Sequence, residues 1–331
     1  MIRRPIKRWT GILLRLLTAF AFMGLLFVLS GWALRPAVDR QAPLPDGETL
    51  ARTESHRRME MDLAHPPVLY REANYRQGED ASWRPKGESP LLADLVAAGK
   101  LPPVAERVGE EPLVVEGVDG IGRYGGTWVR LATDSADALN LSANRMSYAA
   151  LLRFSPQGYP IVPHVAKDWE ASEDHREFTF HLRKGMRWSD GHPFTADDVL
   201  YWWEQEVNDP AVTTEIPTEF RIRNESCQLI KVDDHTIRFV FPHPYGLFPT
   251  LMATHIGMRP LQSPKHYLAK YHPVTGDPDL AAQIMREFGL TNRRAVYHHV
   301  RRTDNPMIPR LWPLVYRTYR EGTTQEYVRN P

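Results

Sequence analysis

The stretch FTFHLRKGMRWSDGHPFTADDVLYWWE, Phe178 to Glu204, decides the fold. Phe178, Phe180 and Leu182 alternate with Thr179, His181 and Arg183, the period-two pattern of a strand with one buried face. Met186 and Trp188 continue the alternation beyond Lys184-Gly185. Ser189-Asp190-Gly191 predicts a turn, because Asp bonds to backbone ahead of it and Gly accepts a positive φ. A helix then starts. Thr195 is the expected N-cap, and Asp198, three residues on, can return a hydrogen bond to it. Phe194 and Val199 occupy the hydrophobic-staple positions, and Asp197 and Asp198 complement the positive end of the helix dipole. Val199, Trp202 and Trp203 form the expected inward face.

So many acids, bases and histidines in one span invite a catalytic reading, which the same spacing weighs against. Adjacent helix positions point about 100° apart, so Asp197 and Asp198 do not converge on one pocket as an acid/base dyad must. His181 and His192 fit turn or surface positions. His298-His299 could share a metal, yet no third ligand stands nearby at a recognisable spacing. No G-x-S-x-G, phosphate loop or H-E-x-x-H occurs. The expectation is therefore no catalytic residue, no cofactor and no metal.

Outward from this stretch, the chain has 331 residues with 42% hydrophobic content, enough for one large or two ordinary domains. Its formal net charge is +1, so no overall field draws it to nucleic acid, and no nucleic-acid partner is expected. Cys227 is the single cysteine, which excludes a disulfide within the chain.

Residues 1–34 differ from the rest. Arg3, Arg4, Lys7 and Arg8 make a basic start, and Leu16 to Leu34 carries no charge. This pattern is an export signal, or an uncleaved anchor in the inner membrane held by residues 16–34. Gly31 and Ala33 place small residues where a signal peptidase prefers them, with Trp32 between. Either way the remainder is expected in the periplasm or otherwise outside the cytoplasm.

Residues 35–110 read as a polar tether with a short amphipathic helix around Leu91, Leu92, Leu95 and Val96, stopped by Gly99 and Pro102-Pro103. Gly125-Gly126 precede an expected strand from about Thr127 to Leu131, and Met146 to Phe154 reads as an apolar helical run. LIKVDDHTIRFVFPHP predicts two strands around Asp233-Asp234-His235, with Ile237, Phe239 and Phe241 on one face. Helices are expected from Tyr245 to about Thr254 and from Leu280 to Phe288.

The order Pro163, Ala166, Trp169-Glu170, Phe180 to Arg183, Trp188 to Gly191 and Thr195 to Val199 resembles the signature of family 5 extracellular solute-binding proteins, the peptide and nickel-type binding subunits of ABC importers. The leader KLPPVAERVGEEPLVV with GIGRYGGTW, and PKHYL, are similar to the same template. The resemblance implies an α/β fold of the periplasmic binding protein type II kind, whose two lobes close on ligand by hinge motion. Residues 111–331 would form a first lobe with its family-specific subdomain, and RNP resembles the point before the chain leaves for the second lobe, so the sequence reads as a fragment.

The resemblance further implies a binding subunit rather than an enzyme, one that captures a peptide or other small solute for ABC permease subunits. The ligand residues it points to are Ala132, Thr133 and Asp134 at a strand end, with Tyr148 as a further wall. Two other readings stay open: a membrane-tethered solute sensor, and a metal-dependent hydrolase built on the His-rich tail.

Overall fold

A computed structural model of the chain describes residues 6–33, 47, 51, 73–81, 83–84, 87–115, 124–141, 148–155, 158, 160–320 and 324–331. The chain divides into two compact units, Met1–Ala51 and Arg52–Pro331. The first contains one long helix, Ile6–Ala33, apolar from Leu16 onward.

The second unit is built around a four-stranded antiparallel sheet in the order β3-β4-β8-β7, where β3 is Ala166–Ala171, β4 Glu177–Leu182, β7 Gln228–Asp233 and β8 Thr236–Val240. The alternation read from the sequence sets its faces. Phe178 and Phe180 on β4 stand opposite Phe239 and Ile237 on β8, and all four are fully buried. Phe248, on the helix Phe248–Met252, closes over them with ring centroids 5.1 Å from Phe178 and 4.7 Å from Phe241. Phe220 and Trp202, 5.2 Å apart, extend the same core. Each such ring withdrawn from water contributes about 1.5–3 kcal/mol.

The turn and helix after β4 form as the residues dictate. Gly191 adopts φ 87°, and the His192 N–H donates to Asp190 Oδ1 at 3.1 Å. In the helix Ala196–Tyr201, Thr195 Oγ1 accepts from the Asp197 N–H at 3.3 Å and Asp198 Oδ2 accepts from the Thr195 N–H at 3.1 Å, a reciprocal cap. Asp198 Oδ1 also accepts from the Lys265 N–H at 2.9 Å, tying this helix to the later helix Lys265–Leu268. The helix then widens into a π-helical turn, Trp202–Val207. That turn carries Glu206 inward to Tyr297, whose hydroxyl donates to it at 2.7 Å, and to Arg301 at 2.9 Å.

Several expected elements differ. Residues 124–132 form no strand, because a strand requires a partner ladder and this segment pairs with none of the described strands; Leu131 is 91% exposed. Within the expected helical run 146–154, residues 148–150 are irregular and Leu152–Phe154 is a strand, β1, paired with β2, Ile161–Pro163; Met146 and Ser147 lie outside the described residues. The helix expected from Tyr245 begins at Phe248, after a turn in which the Phe248 N–H donates to the Tyr245 carbonyl at 2.9 Å. The strands β5, Arg221–Ile222, and β6, Glu225–Ser226, make a small hairpin that the sequence reading missed. Two further strands, β9 at Leu314–Arg320 and β10 at Thr324–Arg329, pair only with each other.

Candidate functional site

A cavity in the second unit measures about 1270 Å³. One wall is the segment Gly125 to Asp134, and the facing wall is β10 with its neighbours Leu314 and Arg317 on β9. Leu91, Leu92 and Leu95, beside the short helix Ala93–Ala97, close a third side.

Each wall has a local cause. Gly125 and Gly126 take φ values of 102° and 82°, which only glycine adopts without strain, and they redirect the chain into the wall. At its far end Asp134 Oδ1 accepts from the Asp137 N–H at 2.8 Å, while Asp137 Oδ2 accepts from the Thr133 N–H at 3.1 Å. This interlock fixes Thr133 and Asp134 at the start of the helix Ser135–Leu141. On the facing wall, Arg329 donates to Ser89 Oγ at 3.0 Å, and its guanidinium lies 5.9 Å from the Tyr124 ring centre. Asn330 pins the end of β10 by donating from Nδ2 to the Trp312 carbonyl at 2.7 Å.

The lining mixes apolar side chains with polar and charged residues: Thr127, Arg130, Thr133 and Asp134 on one wall, and Arg317, Thr324, Gln325, Glu326, Tyr327 and Arg329 on the other. Trp128 stands 59% exposed with the Arg130 guanidinium 4.6 Å from its ring centre. Such a site suits a ligand with its own donors and acceptors and some apolar or ring surface.

Ala132, Thr133 and Asp134 thus come together in the cavity wall. Tyr148 does not line it. Its half-buried hydroxyl donates to the Ala253 carbonyl, and its ring rests 6.3 Å from His164. Burial pushes the His164 imidazole down to about 4. The contributions of Trp128, Arg317 and Gln325 were missed in the sequence; the apolar residues Trp128, Val129 and Leu131 were the one signal for the first, and no local pattern marked the other two.

The alternative chemistry finds no assembled site. Among the described residues, no three His, Cys, Asp or Glu side chains gather as metal ligands. His299 lies against Phe288, ring centroids 4.3 Å apart. Asp197 pairs with Lys231 at 3.0 Å, whereas Asp198 turns inward to its backbone donors. Burial pushes the Cys227 thiol up to about 12.

The model for bacterial extracellular solute-binding proteins, family 5 Middle, matches residues 160–276, which hold the whole β3-β4-β8-β7 sheet and the capped helix. Residues 160–276 thus belong to the family 5 extracellular solute-binding proteins. A periplasmic alpha-galactoside-binding protein of Rhizobium meliloti (strain 1021) is 33% identical over 199 residues, covering 54% of this chain and 28% of that protein. Among solved structures, an oligopeptide-binding protein OppA superposes with a TM-score of 0.67 at 33% identity, over 77% of this chain and 39% of that one. The periplasmic binding protein MelB from Agrobacterium fabrum C58, in complex with stachyose, gives 0.55 at 26%, over 74% and 38%. The fold of this chain is accordingly the α/β type II periplasmic binding protein fold, and the chain spans less than two-fifths of each of these relatives.

Proposed function

We propose that this chain supplies one side of the ligand site in an extracytoplasmic substrate-binding subunit of an ABC importer, capturing peptides or similar small solutes for membrane permease subunits. The observation that carries this reading is the cavity between the Gly125–Asp134 wall and β10, in a chain of the solute-binding family. Ala132, Thr133 and Asp134 present main-chain donors and acceptors there, the groups that pair with a peptide backbone. The likeness to an oligopeptide-binding protein supports a peptide ligand. Residues 1–34 act as the export element, residues 35–110 as the connection, and residues 111–331 as the solute-binding lobe, with the protein working in the periplasm.

A second reading, an oligosaccharide ligand, is favoured by one feature: the exposed face of Trp128 offers the flat apolar platform on which a sugar ring stacks. The relatives that bind an alpha-galactoside and stachyose support it. Isothermal calorimetry of the full chain separates the two. Heat on titrating short peptides, with none from α-galactosides, is the expected result. The reverse establishes the oligosaccharide, and no heat from either, with the protein folded by circular dichroism, overturns ligand capture by this chain.

A further inference from the structure

We propose that the helix Ile6–Ala33 is retained in the mature protein as a single-span anchor in a lipid bilayer, so that the solute-binding unit works as a tethered protein. The inference rests on the export reading above and adds to it the fate of the exported segment.

The occupant that covers this helix is set by its length and surface. Leu16 to Leu34 is an uncharged run of 19 residues in which Thr18 and Ser30 are the hydroxyl-bearing side chains. At about 1.5 Å per residue it reaches about 28 Å, against a hydrocarbon core of about 30 Å. Phe20, Phe27 and Val28 are each exposed by two-thirds or more, and the apolar side chains lie all around the helix rather than along one stripe. Such a surface matches lipid and lacks the polar face that a helix lying on a protein or a membrane surface keeps.

The ends match too. Arg15 and Trp32 bracket the run, about 26 Å apart along the axis at the helical rise, which places a cation at one interface and an indole at the other. The bases Arg3, Arg4, Lys7 and Arg8 all precede Arg15 and hold the amino terminus in the cytoplasm.

The cleavage alternative requires the residues before Ala33 to be read as an extended peptide. The helix instead continues unbroken through Gly31 and Trp32 to Ala33. Tethering would hold the lobe near the permease and raise its effective concentration there.

The test uses the full chain, expressed in a host with a periplasm and carrying a periplasm-only reporter after Pro331. The expected result is an active reporter, a protein that stays in the membrane pellet through alkaline carbonate washing, and an intact mass that includes residues 1–33. Ala33→Leu, which blocks peptidase recognition, leaves the retention of residues 1–33 and the membrane partition unchanged. A soluble protein whose amino terminus is Leu34, with the reporter active, overturns the anchor and leaves the export reading intact. A silent reporter overturns export and anchor together.

Discussion

Gly109 and Gly185 meet backbone to backbone. A Cβ added at Gly109 would stand 2.6 Å from the Gly185 carbonyl carbon, and one added at Gly185 would stand 2.6 Å from Gly109 Cα. Gly185 also holds φ 80° at the turn after β4. The contact brings the segment before the cavity onto the main sheet, where the Glu111 N–H donates to the Lys184 carbonyl at 3.3 Å. Gly185→Ala combines backbone strain with the clash, and should lower stability by about 1–3 kcal/mol. Differential scanning calorimetry should show the melting temperature falling by about 2–4 °C for each kcal/mol. An unchanged transition would mean that the segment docks by other contacts.

The same docking is pH-dependent. Burial works against ionisation of Glu111, but the Lys167 ammonium at 2.8 Å and the Lys184 N–H at 3.0 Å outweigh it and hold the carboxyl below its usual range. A carboxyl with a depressed folded pKa contributes stability above its unfolded value of about 4.3, and that contribution disappears as pH falls through the folded value. Protection factors at residues 109–111, exchange rates taken relative to the intrinsic rate at each pH, should therefore fall below about pH 4 in the wild type. Glu111→Gln should show low protection already at neutral pH and little further loss on acidification. Identical profiles for the two proteins would remove Glu111 from the docking.

His164 titrates in a different window. Burial is the main cause of its low value of about 4; the Ala150 carbonyl, 3.1 Å from Nδ1, works the other way, and the nearby Arg153 and Arg183 charges add to the lowering. Between about pH 6.5 and 4 the unfolded chain binds a proton at this position that the folded chain does not. Stability therefore rises with pH across that window and falls on acidification, with a slope of at most about 1.4 kcal/mol per pH unit. His164→Gln, which keeps a donor for Ala150, should flatten the dependence of the urea midpoint on pH between about 4 and 6.5. Equal slopes would show that His164 is protonated in the fold.

What the sequence revealed divides along the range of the interactions. Thr195 and Asp198 lie three residues apart, and the alternation of Phe178, Phe180 and Leu182 needs only one strand, so cap, turn and buried face were all legible. The wall at Thr127–Leu131 was misread as a strand because pairing depends on a partner elsewhere in the chain. The facing wall of the cavity was not legible at all. Its position depends on contacts such as Arg329 with Ser89, which lie 240 residues apart and leave no local pattern. Tyr148 illustrates the converse: its apolar surroundings were legible, but its hydroxyl is directed to Ala253, 105 residues away.

Asp197 and Asp198 are neighbours with unlike roles, and their alanine variants should differ accordingly. Asp198→Ala removes an acceptor from the Thr195 and Lys265 N–H groups and should cost about 1–3 kcal/mol. Asp197→Ala removes one half-exposed partner of Lys231, which keeps Asp234 at 2.7 Å, and should cost under about 0.5 kcal/mol. Urea denaturation measures both. Equal losses would contradict the reciprocal cap.

Trp128 carries the ligand question to a single side chain. Its ring lines the cavity and is 59% exposed, with Arg130 over the ring at 4.6 Å, so truncation removes surface without emptying a core. Trp128→Ala should leave the unfolding transition nearly in place while weakening an oligosaccharide ligand at least tenfold, the loss expected when an aromatic stacking partner worth about 1.5 kcal/mol is removed. A peptide held by the main chain of Ala132 to Asp134 should lose less than that, since its hydrogen bonds survive the substitution. Trp128→Phe restores the platform and should recover most of the affinity for a sugar ring. Ligand affinity unchanged in both variants would place the bound molecule away from this wall and remove Trp128 from the site.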